Sequence, residues 1–509
     1  MDRRKFLGGM LVSAPAIVRA QSTIPKAEQG TMAGDVTPNR AMIWSRSSKP
    51  SRMIVNWRTS ERGEYHKITG PNCLDVSDYT GRVELSDLPP GQNILYDVTF
   101  EDLTQRGVLS QPVKGSFHTP SLHPSKGVRF FWSGDTVGQG WGINKEWGGL
   151  RVYEVMRKLK PDFFLHSGDT IYADSVVKAE VPLSDGKIWK NVVTEAKSKV
   201  AETLEEYRGQ YKYNLLDENL RRFHSEVPQI WQWDDHEVLN NWSPGKNLLD
   251  NPAYKEKSIG LLAARAARAF HEFAPITPSA HETERVYRKV SYGPLLDVFV
   301  IDMRSYRAAN SYNLQKEMGP ETVYLGKPQI KWLQDGLKAS KAVWKVIASD
   351  MPLSLMVGDV PDALGRPQFE NSANGDGPAL GRELEIATVL KFIKDNAIHN
   401  IVWLTADTHY TSANHFHPDR AQFKEFLPFW EFISGPLHAG FSGPNGKDHT
   451  FGMEVKFEKV SPKPAGPYDG FIFFGEVEIA PDGHMKVTLR DLETKALFVT
   501  DLTPVKIKI

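Results

Sequence analysis

The sequence predicts an α/β protein, a β-sheet core with flanking helices preceded by a small N-terminal β-sandwich, and three observations predict it. Residues 23–118 hold short apolar runs separated by turn residues, with no helical periodicity. The segment Thr119–Gly127 (TPSLHPSKG) is rich in Pro and Ser and reads as a linker. From Val128 onward, across 128–509, apolar runs alternate with helical stretches, which is the pattern of strand–helix–strand units.

Bulk composition narrows the class. The chain has 509 residues, 40% hydrophobic and 24% charged, ordinary for a globular protein and long enough for more than one domain. Lys+Arg and Asp+Glu both number 62, so there is no net charge with which to grip DNA or an acidic membrane face. Cys73 is the single cysteine, so no internal disulfide can form, and an oxidising compartment is neither required nor excluded.

The first 20 residues read as an export signal. Arg3-Arg4-Lys5-Phe6-Leu7 resembles a twin-arginine motif, and Val18-Arg19-Ala20 before Gln21 suits signal-peptidase cleavage. The apolar run between them is too short, and too rich in Gly, Ala and Pro, to span a bilayer. The expectation is a periplasmic or secreted mature protein from 21, exported folded by the twin-arginine machinery through Arg3 and Arg4. Cofactors could then be loaded in the cytoplasm beforehand. No later run has membrane length, so no transmembrane segment is expected.

Within 21–118, strands are expected at Ala41–Trp44, Met53–Trp57, Leu95–Phe100 and near Ser116–His118, with Pro89-Pro90-Gly91 turning between runs. In the core, VRFFW (128–132) is a buried strand. The stretch 148–160 places Leu150, Tyr153, Met156 and Leu159 along one helical side, and Pro161 stops it before a second strand, FFLH (163–166). Further strand runs are QIWQW (229–233), LLDVFVI (295–301), VWKVIAS (343–349), IVWL (401–404) and WEFI (430–433). Helices are expected over 255–273, 328–340 and 382–396, and Pro481-Asp482-Gly483 marks a hairpin. Residues 174–200 carry few apolar side chains and read as an insertion.

The chemistry collects just after these strands. VRFFW leads to Ser133-Gly134-Asp135, and FFLH to Ser167-Gly168-Asp169 with Tyr172 and Asp174. QIWQW leads to Asp234-Asp235-His236-Glu237, LLDVFVI to Asp302 and Arg304, IVWL to Asp407 and His409, and WEFI to Ser434-Gly435 and His438. An Asp after a strand can simply cap the next helix. Five or six such loops, however, would converge at the carboxyl edge of an open α/β sheet, where ligands bind. Asp and His with one Tyr suit hard to borderline cations, and crowded carboxylates need cations to compensate them. Such a two-metal site supplies hydroxide near neutral pH and clamps both oxygens of an in-line displacement at phosphorus. His438 reads as a satisfied loop histidine, and Trp132, Trp231 and Trp233 as core. His271-Glu272 and His281-Glu282 lack the second His of a zincin helix, and there is neither a Gly-x-Ser-x-Gly elbow nor a P-loop.

These residues carry a resemblance. Arg3–Leu7, GDTIYAD (168–174), WDDHE (233–237), DMRSYR (302–307) and TADTH (405–409) resemble, in order, the PhoD family of alkaline phosphatases, and GDVTP (34–38) with AMIW (41–44) resembles its N-terminal β-domain. The resemblance covers nearly the whole mature chain. It implies a metallophosphoesterase-type fold related to purple acid phosphatases and a site of iron(III) with calcium, or a related metal pair. It implies cleavage of phosphomonoesters, phosphodiesters or both, by attack of metal-bound hydroxide on phosphorus.

Carried onto this chain, the resemblance makes Asp135 the first-loop ligand, Asp169 the bridging carboxylate and Tyr172 a phenolate on iron(III). Asp235 and His236 take the place of an Asn-His pair, with His236 on a metal or facing the leaving group. Asp234 and Glu237 would orient the pair. Asp407 and His409 close the cluster, and Arg304 holds phosphate oxygens. One departure is that many such sequences place a cysteine ligand in the first loop, where this chain reads Asp135-Thr136-Val137, so zinc or manganese stays open beside iron. The implied substrate is a small phosphate ester. The same site could serve mainly diesters, as a phospholipase D-like or other phosphodiesterase, with nucleic acid only as a possible diester substrate. A non-catalytic exported phosphate-binding protein is the third reading.

Overall fold

The computed structural model describes residues 24–124, 126–441 and 443–505; residues 1–20, read above as an export signal, lie outside them. Each central apolar run is a strand whose successive side chains point to opposite faces, and both faces are buried. Phe130 and Trp132 of Val128–Ser133, Leu165 of Phe163–Ser167 and Ile230 of Gln229–Gln232 share one core with Val298, Val300, Val346, Ala348, Val402 and Leu404. The intervening Phe131, Phe164 and Trp231 enter a second core with the helices Arg151–Leu159, Glu218–Glu226 and Ile259–Phe273. Phe299, Ile347 and Trp403 enter a third with the helices Lys327–Ala339 and Glu383–Asp395.

The strands therefore divide between two sheets packed face to face with helices outside, where the sequence reading placed them along one open sheet. Helices cover one apolar face of each sheet, and the other two faces cover each other in a shared core. The first sheet has nine strands, with Val128–Ser133, Phe163–Ser167, Gln229–Gln232 and Thr31–Thr37 parallel at its centre. Phe473–Ile479, Met485–Asp491 and Ala496–Leu502 continue it antiparallel beyond Val128–Ser133, the first pair joined by the 481–483 hairpin. The second sheet has seven strands, with Leu296–Val300, Trp344–Ala348, Ile401–Thr405 and Phe429–Ile433 parallel.

At the N-terminus, Thr31–Thr37, Arg40–Arg46 and Thr80–Leu85 face a four-stranded sheet of His66–Cys73, Ser51–Arg58, Asn93–Asp102 and Val113–His118. Ile43, Met53, Val55, Val98 and Phe100 fill the space between, which makes a sandwich. This sandwich is continuous with the large sheet, since Gly34 pairs with Gln229 and Asp35 takes a bidentate pair from Arg288 at 2.7 Å.

Two helices were not legible in the sequence: Leu204–Asn214, opened by a Thr203–Glu206 capping box, and Glu218–Glu226, capped by Asp217. On the first, Arg208, Gln210 and Asn214 are buried beside Tyr207, Tyr211 and Tyr213, so no clean apolar stripe marks it.

Candidate metal centre

Both parallel strand sets end on the same side of the molecule, and their loops interlock there. Asp135 N donates to Gly168 O and Thr136 N to Asp169 O at 2.9 Å, tying the first two loops together. Leu437 N donates to Gly134 O, and the Trp132 indole donates to Thr405 O across the sheets. The side chains are aimed by backbone that L-residues rarely adopt: φ is +69° at Asp135, +51° at Asp169, +68° at Asp407 and +56° at His409. Such strain concentrates where side-chain placement is functional. Space is equally tight, since a Cβ on Gly435 would lie 2.2 Å from Asp135 Oδ2.

Six of the seven expected ligands, together with Asp234, form three overlapping groups whose donor atoms lie within 4.8 Å of one another: Asp135, Asp169 and His409; Asp169, Asp235 and His236; Asp234, Asp235 and Asp407. Asp169 belongs to the first and second, and Asp235 to the second and third. Tyr172, the seventh, is fully buried with its Oη 2.7 Å from His409 Nε2, and its ring stacks on His236 at 4.1 Å. Asp234, expected only to orient its neighbours, is itself a member of the third group.

Around them stands a shell of orienting contacts. His236 Nδ1 lies 2.7 Å from Asp174 Oδ1, which turns Nε2 toward Asp235 at 3.8 Å. Glu237 accepts from Asp169 N, Thr170 N and Asp234 N, locking two loops with one carboxylate. Asp235 Oδ2 accepts from Asn241 N, and His236 N donates to Asp169 Oδ1 at 3.1 Å. His438 stays apart from the three groups: it is buried with Nε2 3.2 Å from Gly142 O, and its backbone braces the Asp135 loop.

Arg304 is where the structure departs from expectation. Its side chain is 0% exposed and is held by carboxylates: Asp234 at 2.5 Å, Glu370 at 2.6 Å and Asp350 at 3.2 Å, with Asp407 at 3.5 Å and Asp235 at 3.6 Å. Expected to hold phosphate oxygens, the guanidinium is a buried counter-charge to these acids. Asp350 and Glu370 were missed in the sequence. Asp350 follows the Trp344–Ala348 strand as the other acids follow theirs and could have been found; Glu370 lies after the two-residue strand Gln368–Phe369 and carried no signal.

The electrostatics fit cations. Burial pushes the Asp169, Asp234 and Asp407 carboxyls well above their usual range, and neighbouring carboxylates add to it. Burial likewise lifts Glu237 to about 7 and Tyr172 well above its usual value. For Asp235, burial acts upward but the charges of His236 and Arg304 prevail and hold it low. For His236, burial acts downward and is outweighed by Asp174, Asp235 and Asp169, so the imidazole is held well above its usual value. Both oxygens of Asp135 and Oδ2 of Asp234 are buried without a hydrogen-bond partner. Carboxylate oxygens left bare beside acids that resist ionising are what a site built around positive charge requires. The Asp, His and Tyr donors suit hard to borderline ions. Val137 of the first loop is fully buried with φ +68°, and Cys73 lies in the N-terminal sheet.

Comparisons with known proteins point to one family. Residues 130–489 match the family model described as PhoD-like phosphatase, and residues 12–121 match PhoD-like phosphatase, N-terminal domain. Alkaline phosphatase D of Bacillus subtilis (strain 168) is 28% identical over 321 residues, covering 60% of this chain and 51% of that protein. The chain thus spans about half the length of this curated relative. Among solved structures, one titled "Structure of PhoD" superposes with a TM-score of 0.68 at 20% identity, covering 96% of this chain and 94% of that one. A purple acid phosphatase from yellow lupin (Lupinus luteus) seeds superposes with a TM-score of 0.56 at 11% identity, covering 93% and 73%. These two likenesses show the fold.

Proposed function

We propose a function from one established premise: the chain belongs to the PhoD-like phosphatase family, whose model matches residues 130–489. The protein is a metal-dependent phosphoric ester hydrolase that acts on phosphomonoesters, phosphodiesters or both. The observation that carries this reading is the chain of three donor groups linked by Asp169 and Asp235, with the bare oxygens of Asp135 at one end.

Asp135, Asp169, Tyr172, Asp235, His236, Asp407 and His409 would hold two or more ions, iron(III) with calcium by family likeness, with zinc or manganese as the alternatives. Ions bound there supply Lewis acidity at the phosphoryl oxygens and a water acidic enough to attack near neutral pH. The protein's own part is placement. Asp169, shared between two groups, sets the spacing of the centre, and Glu237 keeps its loop in register with Asp234. His236, with Nδ1 fixed on Asp174, presents Nε2 to an ion or to the leaving-group oxygen. Arg304 offsets part of the negative charge of the acids around it.

The test is turnover of 4-nitrophenyl phosphate and bis(4-nitrophenyl) phosphate by protein purified with its native ions. Dialysis against a chelator is expected to remove at least about 99% of activity with either substrate, and metal return to restore it. Activity that survives complete metal removal would sink the reading. A phenolate–iron(III) pair at Tyr172 adds a visible absorption band; a colourless, iron-free, fully active enzyme would take iron out of it.

Export belongs to the same reading. Arg3 and Arg4 direct the folded, loaded enzyme through the twin-arginine machinery to the periplasm or beyond. The double substitution Arg3→Lys, Arg4→Lys is expected to leave active protein in the cytoplasmic fraction. Unchanged export of that variant would remove this route.

A further inference from the structure

A groove of about 760 Å³ opens beside the centre, beginning at Asp174, the residue that holds His236. It continues between the segment 239–254 and the loops around Asn310 and Asp359. Its wall is tied to a candidate ligand, because Asn310 Nδ2 donates to Asn241 O and Asn241 N donates to Asp235 Oδ2. The groove therefore adjoins the donor groups through Asp174 and Asn241.

The lining has a definite chemistry. Asn240, Asn247, Asn251, Asn310 and Gln368 supply side-chain amides, which both donate and accept hydrogen bonds. The charged side chains are four carboxylates, Asp174, Asp250, Asp359 and Asp362, against one ammonium, Lys246. Lys246 is already paired with Asp359 at 2.8 Å, and Asn310 donates to the same carboxylate at 2.7 Å. Asp362 is tied back by Arg366 at 2.7 Å. Asp250 is exposed and makes no ion pair among the described residues. An anionic group entering here meets acids and no uncommitted cation, whereas a hydroxyl or ammonium group meets acceptors throughout.

Resting on the function proposed above, we infer that this groove is the leaving-group subsite and selects phosphate esters of neutral or cationic hydroxyl-bearing alcohols over esters whose alcohol carries its own anion. The selection works through the field in the groove as well as through contacts, so it weakens as salt screens the lining.

Glucitol 6-phosphate and 6-phosphogluconate test it, since both are open six-carbon chains with the same phosphate and differ only by a hydroxymethyl in place of a carboxylate. At low ionic strength the ratio of their kcat/KM values is expected to favour glucitol 6-phosphate by about tenfold, and to shrink severalfold at about 0.5 M salt. Asp250→Lys, a surface change of two charge units, is expected to reduce the ratio by about fivefold. Ratios taken on one preparation are insensitive to how much of it is active. Equal use of the two substrates, or a ratio unmoved by both salt and Asp250→Lys, overturns the inference while leaving the hydrolase reading in place. Failure to hydrolyse both 4-nitrophenyl phosphate and bis(4-nitrophenyl) phosphate overturns that reading, and this inference with it.

Discussion

Asp169→Asn is expected to abolish phosphate release and cation retention together. Asn keeps the size of the side chain and tolerates the φ of +51° that this position demands, so the loop can stay folded. Its amide oxygen can still accept from His236 N, as Oδ1 does now. What disappears is one negative charge at the residue common to the first two donor groups. An amide is a far weaker bridging donor than a carboxylate, so both groups lose affinity at once. The expected loss is about a thousandfold in kcat/KM, on the order of 4 kcal/mol of transition-state stabilisation. Metal analysis should show less than one full complement of ions in protein whose circular dichroism is unchanged. A variant that keeps both its ions and its turnover would show that Asp169 is not shared between them.

Arg304→Met is expected to fail in stability before it fails in catalysis. The guanidinium is wholly buried among Asp234, Asp350 and Glu370, and removing it leaves those acids without their counter-charge. Breaking a buried ionic network by deleting one partner costs about 3–5 kcal/mol. The acids can escape part of this by taking up protons. Burial already pushes Asp350 up to about 6 and Glu370 above its usual range, with Arg304 opposing the rise in both. These groups have raised values in the folded protein, so without Arg304 they bind protons more readily when folded than unfolded. The variant's deficit is therefore largest above the folded-state values and shrinks as pH falls toward the unfolded ones. Denaturant melts of the metal-loaded protein at pH 8 and pH 5 measure both effects. A variant of unchanged stability but sharply raised KM would instead place Arg304 on the substrate phosphate.

The origin of these two predictions differs. Asp169 was visible in the sequence because a Gly-Asp pair directly follows a buried strand, with Tyr172 three residues on. Asp135, Asp235, His236, Asp407 and His409 were visible for the same local reason: an apolar run announces a strand, and its end is a place where ligands gather. The helices over 151–159, 259–273, 327–339 and 383–395 showed one-sided apolar spacing or a start signal and were read within a few residues. Leu204–Asn214 was not, because polar side chains occupy its buried side.

The role of Arg304 was beyond reach in the same string. An Arg after a strand can face solvent, substrate or acids, and Glu370, which lies 66 residues away in the chain, is one of the groups that decides which. The pairing of two sheets was hidden too. Alternating apolar side chains say that both faces are buried, without saying whether a helix or another sheet buries them.

From the order of residues alone came the strands, most of the helices, the N-terminal β-region and the identities of the ligand-type residues, since each depends on spacing over a few neighbours. Only the folded chain decided that those strand ends belong to two facing sheets, that Asp174 holds His236, and that a guanidinium lies among the acids. Those outcomes depend on distances between segments tens to hundreds of residues apart, set by how large apolar faces cover one another, and no local pattern encodes them.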